Sequence, residues 1–385
     1  MERADLISVL RKTGCAEEHG DVIFLCDPKW STKARVSVDA LIKRETDRQP
    51  VRLSETGWLC VPTGGTTGGV RFARHDERTL SAAVRGFCEF FNLDRVNAVD
   101  VLPSHHVSGL MARVRCAATG GRHVPGEWRR VEAGELPSLD HEVGPWVVSL
   151  VPTQLQRLLA SAAATSWLRE FHIIFVGGGP IWPEMTHAAA AAGLRVALTY
   201  GMTETAAMVA AVRPEDFLAG ERGGALSLPH ASLSITEAGS ISVEGPSVFY
   251  GYYPESRATR CFETGDLGRI DERGRLHVLG RRDAVIITGG KKVQPVEVEA
   301  ALQATGQFAD VAVLGVADVE WGEVVVACFP KVRTAPDFDL VERGLEKSLA
   351  SYQRPKRYVP IGDWPRNALG KLNREILAKR LALTD

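Results

Sequence analysis

The stretch VPTGGTTGGVRFARHD (residues 61–76) sets Gly64, Gly65, Gly68 and Gly69 among Thr63, Thr66 and Thr67, and then turns basic. Glycines let successive backbone N–H groups converge on one anion, and threonine hydroxyls add neutral donors. The spacing is not GxxxxGK[ST], and no Gly-Lys-Ser/Thr follows. Alone, the stretch is either a phosphate cradle or a flexible turn between strands. TYGMTETAAM places Glu204 directly after Thr203, past the end of an apolar run. A carboxylate beside a hydroxyl suits a hard cation such as Mg2+ and the phosphate oxygens it neutralises. The same pair also reads as a helix cap with an acid in the first turn. In VGGGP (176–180), Gly177, Gly178 and Gly179 either let a flat group lie against the backbone or merely turn a strand into a helix. ETGDLG predicts Asp266 in a tight turn, where a carboxylate can accept two ribose hydroxyls or simply shape the turn. PRNALGKLNR puts Lys371 behind a glycine in a basic stretch, where a solvated lysine is the default reading.

The elements that must position these residues are legible in outline. WVVSLVP, HIIFVGGGP and RVALTYG are short Val/Ile-rich runs that read as buried strands. TQLQRLLASAAA and PEMTHAAAAAG between them carry i, i+3, i+4 helical spacing. Thr153 is expected to cap the first of these helices and Pro183 to open the second. Such alternation predicts a largely parallel α/β sheet, with glycine clusters at strand ends, where open sheets bind ligands. After about residue 223, ASLSITEAGSISVEG and TGDLGRIDERGRLHVLGR predict hairpins at the rim of this domain. GRRDAVIITGGKKVQPVEVEAALQ then opens a further unit, so boundaries of 1–282 and 283–385 are expected.

The chain has 385 residues, enough for two or three units. Its 46 basic and 47 acidic residues give a net charge of −1, which argues against a nucleic-acid partner. No apolar run is long enough to span a bilayer, and the charged start MERADLISVLRKTG is unlike a secretory signal. Seven scattered cysteines without a CxxC pair read as reduced, mostly structural thiols in a cytoplasmic protein.

Six stretches in fixed order, TGGTTGG, HHVSG, GGGP, YGMTET, TGD with GRRD, and PRNALGK, resemble the adenylate-forming superfamily of acyl-CoA synthetases, luciferases and adenylation domains. The resemblance spans roughly residues 61–375. It implies a large N-terminal α/β domain with stacked sheets and a β-rich rim, here abbreviated at its N-terminus. A small, mobile α+β C-terminal domain would follow, carrying the catalytic lysine. In that family a carboxylate attacks the α-phosphate of ATP, and coenzyme A then displaces AMP. ATP, Mg2+, CoA and a small carboxylic acid are the implied ligands. The sequence leaves the oligomeric state open, a homodimer included.

Carried over residue by residue, Thr63, Gly65, Thr66, Thr67 and Gly68 match the phosphate loop, and Gly177, Gly178 and Gly179 the adenine-side wall, with Tyr200 against the base. Thr203 and Glu204 match the residues holding the α-phosphate and Mg2+. Asp266 and Arg281 match the ribose contacts, and Asp283 the hinge. Lys371 matches the lysine that reaches the α-phosphate. Gly289, Gly290 and Lys291 of TGGKK would face the site after rotation, the glycines letting pantetheine pass. His106 matches the histidine beside the acyl pocket, with His105 given a structural or surface role. Ser108, Thr153, Gly201 and Met202, with Gln156 and Arg157, are candidate acyl-pocket residues. The short N-terminus, VVSLVPTQLQRLL and FLCDPKW look most like the o-succinylbenzoate–CoA ligases of menaquinone and phylloquinone synthesis. Other aryl- or fatty-acyl–CoA ligases, carrier-loading enzymes and non-catalytic nucleotide-binding relatives are the competing classes. The phosphate loop departs from TSGTTGxPK, with Gly64 for the serine and Val70-Arg71 for the Pro-Lys pair. Arg71 could restore the charge, though a planar fork does not reproduce an ammonium's geometry.

Overall fold

The computed structural model describes residues 1–48, 56–64, 70–257, 259–332, 335–366 and 372–383. Its centre is a seven-stranded sheet. The order is Leu226–Ser227, Ala207–Ala211, Val196–Met202, Ile173–Gly177, Trp146–Leu150, Asn97–Asp100 and His123–Pro125. The last five in this order are mutually parallel, and Ala207–Ala211 pairs antiparallel with Val196–Met202. The expected parallel sheet is present, with its strands ending at the VGGGP and TYGMTET motifs.

Two helices lie across one face. Glu77–Phe91 starts where Asp76 accepts the backbone N–H groups of Arg78 and Thr79, both at 3.0 Å. Such a cap contributes about 1 kcal/mol. Leu80, Ala83, Val84, Phe87 and Phe91 recur at helical spacing and are buried. The second helix, Val107–Thr119, begins at His106. The pair is sandwiched. On one side Phe87, Phe91, Ala112 and Cys116 pack with Phe175, Ala197 and Met208 of the central sheet. On the other, Leu80, Leu110 and Met111 pack with Ile23, Leu25, Leu59 and Val61. Those last residues belong to a four-stranded sheet of Ala16–His19, Val22–Leu25, Leu59–Gly64 and Val70–His75. The opposite face of the central sheet is covered by Pro152–Leu159, Ala162–Leu168 and Pro183–Ala191.

TQLQRLLASAAA is therefore two helices, not one. Ser161 accepts the N–H of Ala164 and starts the second. Thr153 does not cap the first: Pro152 occupies its first position, and Gln154 Oε1 accepts the N–H of Val151 at 3.0 Å. Pro183 opens its helix as expected, after Trp182.

The rim sheet contains Ser232–Ile235, Ser240–Glu244, Cys261–Ile270 and Leu276–Arg281, antiparallel throughout. A five-stranded sheet follows, built from Ile286–Thr288, Lys291–Val293, Ala312–Asp318, Gly322–Pro330 and Arg357–Ile361. Helices Pro295–Ala304 and Phe338–Ser348 pack on one face of it, and Arg374–Leu381 on the other. The architecture is the expected one: a large α/β part with layered sheets and a β-rich rim, then a small α+β unit.

Candidate active site

The strand Val196–Met202 ends on Gly201 and Met202, and Thr203–Thr205 follow as a single tight turn. Ala206 and Ala207 have φ of 54° and 81°, so the chain reverses at once into Ala207–Ala211. Left-handed backbone at non-glycine residues costs on the order of 1–3 kcal/mol, so the surroundings must hold it. They hold it through hydrogen bonds. Glu204 is 6% exposed. Its Oε1 accepts from Tyr252 Oη at 2.7 Å and from Thr63 Oγ1 at 3.3 Å, and its carbonyl accepts the Phe249 N–H at 2.9 Å. The Arg71 guanidinium lies 4.2 Å from the Tyr252 ring centroid. Arg71, in the lysine's place, thus connects to the Glu204 carboxylate through a tyrosine.

The carbonyl of Thr203 accepts from His75 Nε2 at 2.8 Å, while His75 Nδ1 lies 3.1 Å from Thr79 Oγ1. A carbonyl only accepts, so Nε2 carries the proton. Burial pushes the His75 pKa down to about 4, which keeps the ring neutral. Folding therefore favours the neutral form, while an unfolded histidine titrates near its usual ~6.5. The unfolded chain binds the extra proton first, so stability is full above ~6.5 and falls as pH drops towards about 4. The loss assigned to His75 is about 3 kcal/mol across that window. Urea unfolding at pH 7 and pH 4.5 is expected to show a smaller drop in His75→Gln than in the parent.

The residues expected to meet the nucleotide lie on the same strand end. Tyr200 Oη donates to Asp266 Oδ2 at 2.9 Å, with Thr264 Oγ1 at 3.4 Å. Burial, reinforced by the Asp266 charge, pushes the Tyr200 phenol upward. Asp266 is not in a tight turn. It lies within Cys261–Ile270, directly opposite Arg281, and the reversal comes later, where Asp271 pairs with Arg275. A strand position holds the carboxylate between Tyr200 and Arg281 Nη1, the latter 3.5 Å from Oδ1. Arg281 directs its other nitrogens to Asp283, at 3.0 and 2.8 Å. This pairing holds the Asp283 carboxyl below its ordinary range. Gly177 is required by its neighbour strand, since a Cβ there would sit 2.3 Å from Thr199 Oγ1. Gly178 and Gly179 follow it in the link to Pro183–Ala191.

Of the residues expected at the acyl pocket, His106 precedes the helix Val107–Thr119, and Ser108 sits half-buried in its first turn. His105, given a structural or surface role from sequence, is buried. Its Nε2 lies 3.5 Å from Asp27 Oδ2, and its ring is 4.4 Å from that of His106. Thr153 is half-buried. Gln156 and Arg157 point outward, Arg157 pairing with Glu132 at 2.6 Å, so neither lines a pocket. No sequence motif singles out Arg115, which lies seven residues beyond Ser108 and therefore on the same helix face. It is 4% exposed, its guanidinium lies 4.0 Å from the Phe87 ring centroid, and its Nε has no partner among the described residues. Burial pushes its pKa down to about 10. A buried cation without a carboxylate is costly unless a ligand supplies one.

Gly289 and Gly290 form the turn between Ile286–Thr288 and Lys291–Val293, with φ of 53° and 74°. Two positive φ values are what a two-residue hairpin turn asks for, so the turn itself accounts for both glycines. Lys291 Nζ lies 4.4 Å from the Tyr352 ring centroid. Gly65, Thr66, Thr67, Gly68 and Lys371 lie outside the described residues.

Thr63, Tyr200, Thr203, Glu204, Asp266 and Arg281 are thus brought together from distant parts of the chain. The side-chain groups on the Glu204 carboxylate, the hydroxyls of Tyr252 and Thr63, are oxygens, which fits Mg2+ better than a softer metal. Among the described residues no three His, Cys, Asp or Glu side chains gather into a metal cage. Mg2+ bound largely through phosphates and water needs none.

Residues 2–253 match the AMP-binding enzyme family and 297–371 its C-terminal domain. A 2-succinylbenzoate–CoA ligase from Oceanobacillus iheyensis is 33% identical over 291 residues, 72% of this chain and 60% of the relative. An indoleacetate–CoA ligase from Aromatoleum aromaticum is 31% identical over 375 residues, 90% of this chain and 72% of the relative. The chain thus spans less than two thirds of the first of these curated relatives. The solved o-succinylbenzoate CoA synthetase from Bacillus subtilis, in complex with its acyl-adenylate intermediate, matches with a TM-score of 0.75 at 25% identity. That match covers 100% of this chain and 81% of the other. The chain belongs to the AMP-binding enzymes, the adenylate-forming superfamily that its six motifs resemble.

Proposed function

We propose that the protein is an AMP-forming acid–thiol ligase that adenylates o-succinylbenzoate with ATP and transfers the acyl group to coenzyme A. The observation that carries adenylation is the Thr63–Glu204 hydrogen bond, 3.3 Å across 141 residues of sequence. It joins the strand entering the phosphate loop to the acid expected to meet Mg2+. When bound, Mg2+ would neutralise phosphate charge. Thr63, Thr203 and Glu204 orient the nucleotide's phosphates, Tyr200 lies against its base, and Asp266 and Arg281 hold its ribose. Gly65, Thr66, Thr67 and Gly68 complete the phosphate loop, with Gly177, Gly178 and Gly179 as the adenine-side wall. Lys371 places a cation where the substrate carboxylate and α-phosphate, two anions, must approach. Residues 283–385 then turn about Asp283 and bring Gly289, Gly290 and Lys291 to the thiol's path. His106, Ser108, Thr153, Gly201 and Met202 line the acyl side.

The choice of acid rests on Arg115. o-Succinylbenzoate carries two carboxylates, and only the succinyl one is activated. The aromatic one needs a cation at the far end of the pocket. A buried guanidinium on the helix that begins at His106, its Nε without a hydrogen-bond partner among the described residues, supports that partner. A charge-assisted hydrogen bond is worth ~1.5–3 kcal/mol, or about 10–100-fold in affinity. Arg115→Met is therefore expected to raise KM for o-succinylbenzoate by about that factor, leaving KM for ATP unchanged. Pyrophosphate release should be followed with o-succinylbenzoate, indoleacetate, benzoate and medium-chain acids. Preferred turnover of indoleacetate, indifferent to Arg115→Met, would replace this substrate with an aryl-acetate. No release with any acid would remove the enzyme reading.

A further inference from the structure

The hairpin of Ile286–Thr288 and Lys291–Val293 carries Gly289 and Gly290 at its turn. Its hold on the rest of the C-terminal sheet is slight. Among the described residues, Ile286–Thr288 pairs with Gly322–Pro330 at a single position, Thr288 opposite Gly322. Alternate N–H groups along a strand point the same way, and those of Ile287 and Gly289 both meet residues 321–323. The Gly289 N–H donates to the Trp321 carbonyl at 2.9 Å, as in an ordinary ladder. The Ile287 N–H goes to a side chain instead: Glu323 Oε2 accepts it at 2.7 Å. Glu323 thus fills a place in the ladder that a backbone carbonyl would otherwise take. Gly315, on the neighbouring strand Ala312–Asp318, leaves room for that carboxylate, since a Cβ there would sit 2.7 Å from Glu323 Oε1. Ile286 is buried and packs with Val293 and Val325, which fixes the root of the hairpin, whereas Ile287 is exposed.

We infer that Glu323 is a positioning residue for the thioester half-reaction: its carboxylate ties down the strand that leads into the Gly289–Gly290 turn. The inference rests on the proposed role of that turn beside the thiol's path. A turn at the tip of one strand pair is placed by the bonds that tie its incoming strand to the sheet. Here that edge has two such bonds, at Ile287 and Gly289, and the one to Glu323 is charge-assisted. Without the carboxylate the turn keeps one anchor, the Trp321 carbonyl, in place of two. Misplacing a reacting group by an ångström typically costs ~10²-fold. Adenylation makes no use of this turn, so the loss should fall on the second half-reaction.

The test measures thioester formation from supplied acyl-adenylate beside pyrophosphate release, with amide hydrogen exchange at Ile287 as the structural readout. Glu323→Ala is expected to slow thioester formation by ~10–100-fold and to lose protection at the Ile287 amide. Adenylation and Tm should stay near the parent values. Glu323→Gln keeps an acceptor oxygen without the charge and should recover most of the rate and the protection. Gly315→Ala keeps the charge but crowds the carboxylate, so it should fall towards Glu323→Ala. Glu323→Gln as slow as Glu323→Ala, or an Ile287 amide still protected in Glu323→Ala, would overturn the inference. An equal fall in both half-reactions, or a fall matched by Tm, would make Glu323 merely structural and overturn it too. Unchanged thioester formation in Glu323→Ala beside its loss in Gly290→Leu would overturn this inference alone. Thioester formation retained in Gly290→Leu would overturn the reading beneath it.

Discussion

Lys371→Ala is expected to abolish pyrophosphate release while leaving thioester formation from supplied acyl-adenylate nearly intact. Adenylation brings a carboxylate against a polyphosphate, and a fixed cation offsets the charge that builds between them. Losing one preorganised contact of this kind typically costs ~10²–10³ in rate. The second half-reaction joins a thiol to an already activated acyl group and has no comparable anion–anion approach. A lysine used in the first step alone would affect only that step. Equal loss of both half-reactions would contradict the assignment of residues 283–385 as a unit that turns between steps.

Glu204→Gln should have the second-largest effect, a fall of ~10²–10³ in the adenylation kcat. Glutamine keeps the shape and can still accept from Tyr252 and Thr63, so the turn at residues 203–205 should survive. What disappears is the negative charge, and with it the attraction for a hard cation. The Mg2+ concentration needed for half-maximal rate is therefore expected to rise in Glu204→Gln, with Tm near the parent value. A normal Mg2+ dependence would mean that the carboxylate serves only to anchor Tyr252 and Thr63. Tyr252→Phe separates these cases further, because it removes the 2.7 Å donor and leaves the charge.

Motifs whose chemistry is local are legible in the amino-acid sequence alone. TYGMTET and VGGGP fall at the ends of parallel strands, as the apolar runs before them require. The central sheet and the change of character after residue 223 follow from periodicity and turn residues. What the sequence hides depends on partners distant along the chain. His75 reads as an ordinary histidine at the end of RFARH, and its meaning comes from the Thr203 carbonyl, 128 residues away. Arg115 reads as one more basic residue on a helix until burial takes it from solvent and leaves its Nε without a partner among the described residues. Its one sequence signal is the seven-residue step from Ser108. Asp266 shows the opposite failure: a TGD triplet suggests a turn, yet strand pairing with Arg281 overrides that local preference.

Arg281 meets Asp266 on one side and Asp283 on the other, with the closer and bidentate grip on Asp283. One guanidinium cannot give its best geometry to both carboxylates at once, so strengthening one contact weakens the other. Whatever recruits Arg281 towards Asp266 therefore loosens residue 283, and by linkage a backbone change at 283 alters the hold at Asp266 by the same free energy. With Asp266 in its proposed ribose role and Asp283 in its proposed hinge role, sugar binding and the freedom of the peptide leading into the C-terminal sheet would be one equilibrium, written in the rotamer of a single side chain.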